Sequence, residues 1–260
     1  MSYENIKYEV VENVARITIA RPKVLNALND ATLQDLSHAF DTARDSDEVR
    51  AVVLTGEGDK AFVAGADINE LARMNPLSAK DLAYKGQQVL AKVEHMGKPT
   101  VAMINGFALG GGLEIALACN LRTAATSAKM GLPEVSLGII PGYGGTQRLS
   151  RVAGPAVARE WILTGEMFSA EEAHRVGVVN RVFAPEELEE GTLKMVHTIL
   201  SRGPVAVRFA IEAISRGSNM PQREGEILEC DLFGLAASTE DMKEGMGAFI
   251  EKRKPNFQGK

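Results

Sequence analysis

Asn105-Gly106-Phe107-Ala108-Leu109-Gly110-Gly111-Gly112-Leu113-Glu114-Ile115-Ala116-Leu117-Ala118-Cys119 is the stretch on which the fold turns, and a second one, Gly131 to Gly145, completes it. A run rich in β-branched residues, Thr100 to Ile104, feeds the Asn105-Gly106 turn, and an apolar run with helical character follows the three glycines. Glycines strip the side chains from a helix start, so backbone N–H groups there can approach a ligand oxygen closely. Glu114 falls in the first turn of that helix among bulky apolar neighbours. A carboxylate so surrounded is costly unless it is paired or used. Burial raises its pKa while the helix N-terminus lowers it, and the residues alone leave that balance open. A salt bridge to Arg122 or Arg148 is the structural alternative. Glu134, between Pro133 and Val135, is the second acid. Two carboxylates flanking one glycine-rich opening suit a reaction that builds charge on an oxygen while protons move nearby.

Upstream of this stretch, Ile6 to Val11 and Val14 to Ala20 read as a hairpin around Glu12-Asn13. A helix is expected from about Asp30, with Leu33, Leu36, Ala39 and Phe40 on one face, and a buried strand from Ala51 to Thr55. Ala61 to Glu70 reads as a small-residue turn entering a helix, a second place where bare backbone can face a ligand. Ser78 with Asp81 predicts a capping box opening a helix that runs through about His95. Downstream, a strand is expected over Leu121 to Thr126, helices over Thr146 to Val152, Pro155 to Leu163 and Ser169 to Val176, and a brief strand over Val178 to Val182. From Pro185 onward the pattern is amphipathic helix, broken at Gly203-Pro204, at Ser218 to Pro221 and near Ser238. No tandem repeat of fixed length is visible. The pattern predicts an α/β body over residues 1–195 that carries the site and a helical region over 196–260.

Composition narrows the function. The 260 residues are 45% hydrophobic and 24% charged, ordinary for a folded chain, and the net charge of −5 argues against a dedicated nucleic-acid binder. Cys119 and Cys230 have neither metal-binding nor redox spacing and suit a reducing cytosol. The opening residues lack a signal or transit pattern. Met103 to Cys119 is interrupted by four glycines, Asn105 and Glu114, which makes it a poor membrane span. The expectation is a cytoplasmic protein without a membrane or nucleic-acid partner.

Rival chemistries fit less well. Gly106-x-x-x-Gly110-x-Gly112 resembles a dinucleotide turn, but it lies deep in the chain, and Glu114 would crowd a pyrophosphate. A glycosidase pair would want aromatic sugar platforms, whereas aromatics are 5% of the chain with a single tryptophan, Trp161. No Gly-x-Ser-x-Gly elbow seats a nucleophilic serine. The four histidines have no metal-ligand spacing, so no metal is expected. The basic stretch Phe249 to Lys254 reads either as a solvated helix end or as a contact for an anionic ligand or a neighbouring subunit.

Taken together, Arg21-Pro22, Leu25-Asn26-Ala27-Leu28, Ala64-Gly65-Ala66-Asp67-Ile68, Ala108 to Glu114, Pro133-Glu134, Pro141-Gly142 and Gly144 to Leu149 resemble the crotonase (enoyl-CoA hydratase/isomerase) superfamily from end to end. Two glutamates at these places point within it to the enoyl-CoA hydratases. The resemblance implies a spiral of β-β-α units followed by a helical trimerisation region, assembled as a trimer or dimer of trimers. It implies that the amides of Ala66 and Gly111 hold a thioester oxygen while Glu114 and Glu134 move protons, with no cofactor beyond the coenzyme A of the substrate. It further implies acyl-CoA contacts at Ala64, Asp67, Ile68, Asn69, Phe249 and Lys252, the last two reaching from the same or the next subunit. Asn69 departs from the lysine carried by many relatives, and Tyr143 either lines the acyl pocket or packs. A double-bond isomerase, a branched acyl-CoA hydratase and a non-catalytic binding protein of the same fold are the alternatives.

Overall fold

In the computed structural model, which describes residues 3–260, β1 (Ile6–Val11) and β2 (Val14–Ile19) form the antiparallel hairpin. Glu12 and Asn13 both take positive φ in its two-residue turn, the left-handed geometry that matches strand twist. Helix α1 (Asp30–Asp45) follows, capped by Asn29, whose side chain accepts from the Thr32 amide at 2.9 Å. It buries Leu33, Leu36, Ala39 and Phe40, the face its spacing predicts.

Three turns of the same pattern come next. β3 (Ala51–Gly56), β5 (Thr100–Ile104) and β7 (Leu121–Ala125) each open a turn and lie side by side in parallel. Each is followed by a strand of three residues, β4 (Ala61–Val63), β6 (Phe107–Leu109) and β8 (Lys129–Gly131), and these stack into a second sheet. A helical segment closes each turn: α2 (Ile68–Leu71) with α3 (Pro76–Glu94), then α4 (Gly111–Ala118), then α5 (Gly145–Thr164), which breaks at Gly154. This is the expected β-β-α spiral. The first sheet has the order β1-β2-β3-β5-β7-β10 and the second β4-β6-β8-β9, where β9 is Phe168–Ser169 and β10 is Arg181–Phe183. Between those two strands lies α6 (Ala170–Arg175), capped by Ser169.

Two local expectations shift. The third helix starts at Pro76, not at Ser78: Asn75 is the N-cap and accepts from the Leu77 and Ser78 amides, while Ser78 closes the capping box from inside. Val178 and Val179 are buried but precede the last strand.

The chain divides into two compact units, residues up to Met96 with Thr100–Thr192, and Gly97–Pro99 with Leu193–Lys260. The first holds the apolar core, with Trp161 stacked on Phe168 at 4.3 Å between ring centres. The second contains α8 (Pro204–Gly217), α9 (Gln222–Ala237) and α10 (Glu240–Ile250); α7 (Leu188–Leu200) runs across the boundary. Asp241 ties the C-terminal tail back by accepting from the amides of Gln258 and Gly259 at 2.7 and 2.8 Å. No helix among the described residues is long and apolar enough to cross a membrane.

Candidate active site

Parallel pairing of β4 with β6 sets Val63 beside Ala108, so the chain leaving each strand arrives at the same place. Past β4 come Ala64, Gly65 and Ala66; past β6 come Gly110 and Gly111. Gly110 has φ +50°, and a Cβ there would stand 2.9 Å from Glu134 Oε1, so only glycine serves. Gly111 opens α4, where an N–H has no intrahelical acceptor.

The Ala66 segment is held by the loop after the hairpin. Ala64 N donates to Leu25 O at 3.1 Å, Leu28 N to Gly65 O at 2.9 Å, and Asp67 N to Leu28 O at 2.8 Å. Arg21 adds an ion pair to Asp67 at 3.2 Å. These bonds bracket Ala66, whose own N–H, like that of Gly111, donates to no acceptor among the described residues. Both residues line a cavity of about 960 Å³ walled entirely by the first unit.

Glu114 and Glu134 border the same cavity. Glu114 is 1% exposed, and its Oε1 accepts from the amides of Tyr143 at 2.8 Å and Gly145 at 2.6 Å. Neither candidate arginine pairs with it. Arg122 turns to the carbonyls of Val178 and Cys119 at 2.6 and 2.7 Å, and Arg148 pairs with Glu94 at 2.6 Å. Burial, with the repulsion of Glu134, lifts the Glu114 pKa to about 7 against the pull of those two amides and of Arg148. Burial also lifts Glu134 to about 7, and its Oε2 is buried with no hydrogen-bond partner. Repulsion between two such groups is mutual, so the pair titrates as one unit.

The remaining expected residues divide. Ala64 and Ile68 line the cavity. Asp67 instead accepts from Arg21 and from the Asn69 backbone and side chain at 3.1 and 3.2 Å, and Asn69 is exposed. Phe249, 84% exposed, and Lys252 belong to the second unit, at and just beyond the end of α10. The amides of Tyr143 and Gly145 escaped the reading by residue type, although the glycines beside Tyr143 marked a place where backbone comes close. Among the described residues no group of three or more His, Cys, Asp or Glu is gathered as a metal ion needs.

Residues 9–260 match the family model for enoyl-CoA hydratase/isomerase. The chain belongs to this family. Over all 260 residues it is 46% identical to the crotonyl-CoA hydratase of Syntrophomonas wolfei, covering 100% of both chains. It is 45% identical to the short-chain-enoyl-CoA hydratase of Clostridium acetobutylicum, over 98% of this chain and 97% of that one. The crystal structure of enoyl-CoA hydratase from Bacillus anthracis superposes with a TM-score of 0.95 at 41% identity, over 99% of this chain and 100% of the other. The spiral is therefore the fold of the family.

Proposed function

We propose that this chain is an enoyl-CoA hydratase acting on short trans-α,β-unsaturated acyl-CoA thioesters, adding water reversibly to give the 3-hydroxyacyl-CoA. The observation that carries the reading is two carboxylates, Glu114 buried and Glu134 half-buried, bordering the cavity that the undonated amides of Ala66 and Gly111 also line. Water adding to the β-carbon sends negative charge onto the thioester oxygen, and two preset N–H donors stabilise it; one such donor is typically worth ~10²–10³ in rate. Glu114, held as a carboxylate by two amides, takes the proton from water. Glu134, whose buried Oε2 has no donor to favour ionisation, gives its proton to the α-carbon. One proton shared by the pair at neutrality supplies both roles and is restored by transfer between them.

A short acyl chain is supported by Tyr143. It is 5% exposed and its ring fills the space a side chain would occupy at Gly86 of α3 and Gly111 of α4, closing that part of the cavity. The chemistry requires no cofactor beyond substrate coenzyme A. In this reading the helical region from 196 onward joins subunits in a trimer or dimer of trimers, and Phe249 and Lys252 meet the coenzyme A moiety; the setting is cytoplasmic.

Crotonyl-CoA tests the proposal through the ultraviolet absorbance of its conjugated thioester. The wild-type chain removes that absorbance, and Glu114→Gln or Glu134→Gln lowers kcat by ~10²–10⁴. Tyr143→Ala extends activity toward longer acyl chains. Unchanged absorbance with wild-type protein sinks the reading.

A further inference from the structure

We propose that Arg148 is a positioning residue for Glu114, acting through the loop whose amides hold that carboxylate. The inference rests on Glu114 being the water-activating base. Arg148 sits in the first turn of α5 with a side chain 15% exposed. Its Nη1 donates to Tyr143 O at 2.8 Å, while Nε and Nη2 both donate to Glu94 Oε2 of α3, at 3.1 and 2.6 Å. The loop is wrapped around the guanidinium: Gly144 has φ +104°, and a Cβ there would lie 2.4 Å from Arg148 Nη1. On the loop's other side the amides of Tyr143 and Gly145 converge on Glu114 Oε1. Glu94, Arg148, the loop and Glu114 thus form one chain of contacts from α3 through α5 to α4.

Two consequences follow for the base. The brace fixes the two donors, so the carboxylate keeps one orientation toward the cavity, and misplacing such a group by about 1 Å can cost ~10²-fold. The guanidinium is also the cation facing Glu114. The other ionisable groups turned toward it are Glu134, the neutral Tyr143 phenol and, behind Arg148, Glu94. Losing the cation leaves Glu114 with the repulsion of Glu134 and with loosened donors.

The competing view is that Arg148 merely ties α3 to α5. Kinetics on crotonyl-CoA separate the two. Arg148→Met lowers kcat by up to ~10²-fold with KM near wild type, and the acid limb of its kcat–pH profile moves to higher pH. Arg148→Lys returns the limb toward wild type because the charge is back, but restores kcat only in part, since an ammonium lacks the planar fork that spans Tyr143 O and Glu94. Glu94→Gln, which keeps the cation and weakens its anchor, lowers kcat less than Arg148→Met; with Arg148→Lys it carries the test if the methionine variant does not fold. The proposal is overturned if wild type is active and Glu114→Gln is not, yet the arginine variants keep wild-type kcat and an unmoved acid limb, or change KM alone. An inactive wild-type chain, or an active Glu114→Gln variant, fails the functional reading instead.

Discussion

Glu114 and Glu134 ionise near pH 7 because burial withholds the water that a carboxylate needs. In the unfolded chain both revert to the ordinary glutamate value, about 4.3. Between roughly pH 5 and 7 the folded state therefore holds more protons than the unfolded one, and stability falls as pH rises through that window. The slope is at most about 1.4 kcal/mol per pH unit for each group. A Glu114→Gln/Glu134→Gln variant, neutral throughout, loses this decline. Its urea midpoint is expected to exceed that of wild type at pH 8 and to approach it at pH 5. Parallel curves for the two proteins across that range would refute the argument.

Helix α3 supplies Ala79, Leu82 and Ala83 to the cavity wall, so its start matters to the site. Asn75→Ala removes the acceptor for two amides and is expected to cost about 1 kcal/mol, seen as a melting temperature lower by roughly 2–4 °C. An unmoved melting temperature would show the cap to be dispensable. The same helix marks where sequence reading stops. Its body was legible, but its true cap hid behind Pro76, since Ser78 and Asp81 offered an equally regular pattern. β4, β6 and β8 were missed because three residues are too few for a period of two to show. The spiral was invisible as a repeat because its turns begin at residues 51, 100 and 121, spaced by the unequal lengths of their helices. Glu114 and the glycines before it could be read because one turn of helix contains them. The small residues of Ala61 to Glu70 marked a segment where backbone can face a ligand, but which N–H is the donor could not be read from residue type, since a backbone N–H looks the same everywhere; family resemblance singled out Ala66. The brace at Arg148 joins positions 54 apart and needed coordinates.

The second unit exposes Phe233, Phe249, Ile250 and Ile214 at 70–84%. That much uncovered apolar surface on helices is suited to contact between copies of the chain. Sedimentation of the wild-type protein is expected to give a mass that is a multiple of three chains, and Phe233→Asp to shift it toward the monomer. A monomeric wild type would remove the assembly from the proposal. Within the first unit, the bonds from Leu25 and Leu28 that bracket Ala66 have a different kind of reach. They make the peptide link itself the working part, with no side chain in the role. Apart from proline, any residue can stand at that position without deleting the donor. The walls around it, Ile140 and Tyr143 among them, are then free to be recut for another acyl group while the chemistry underneath is left untouched.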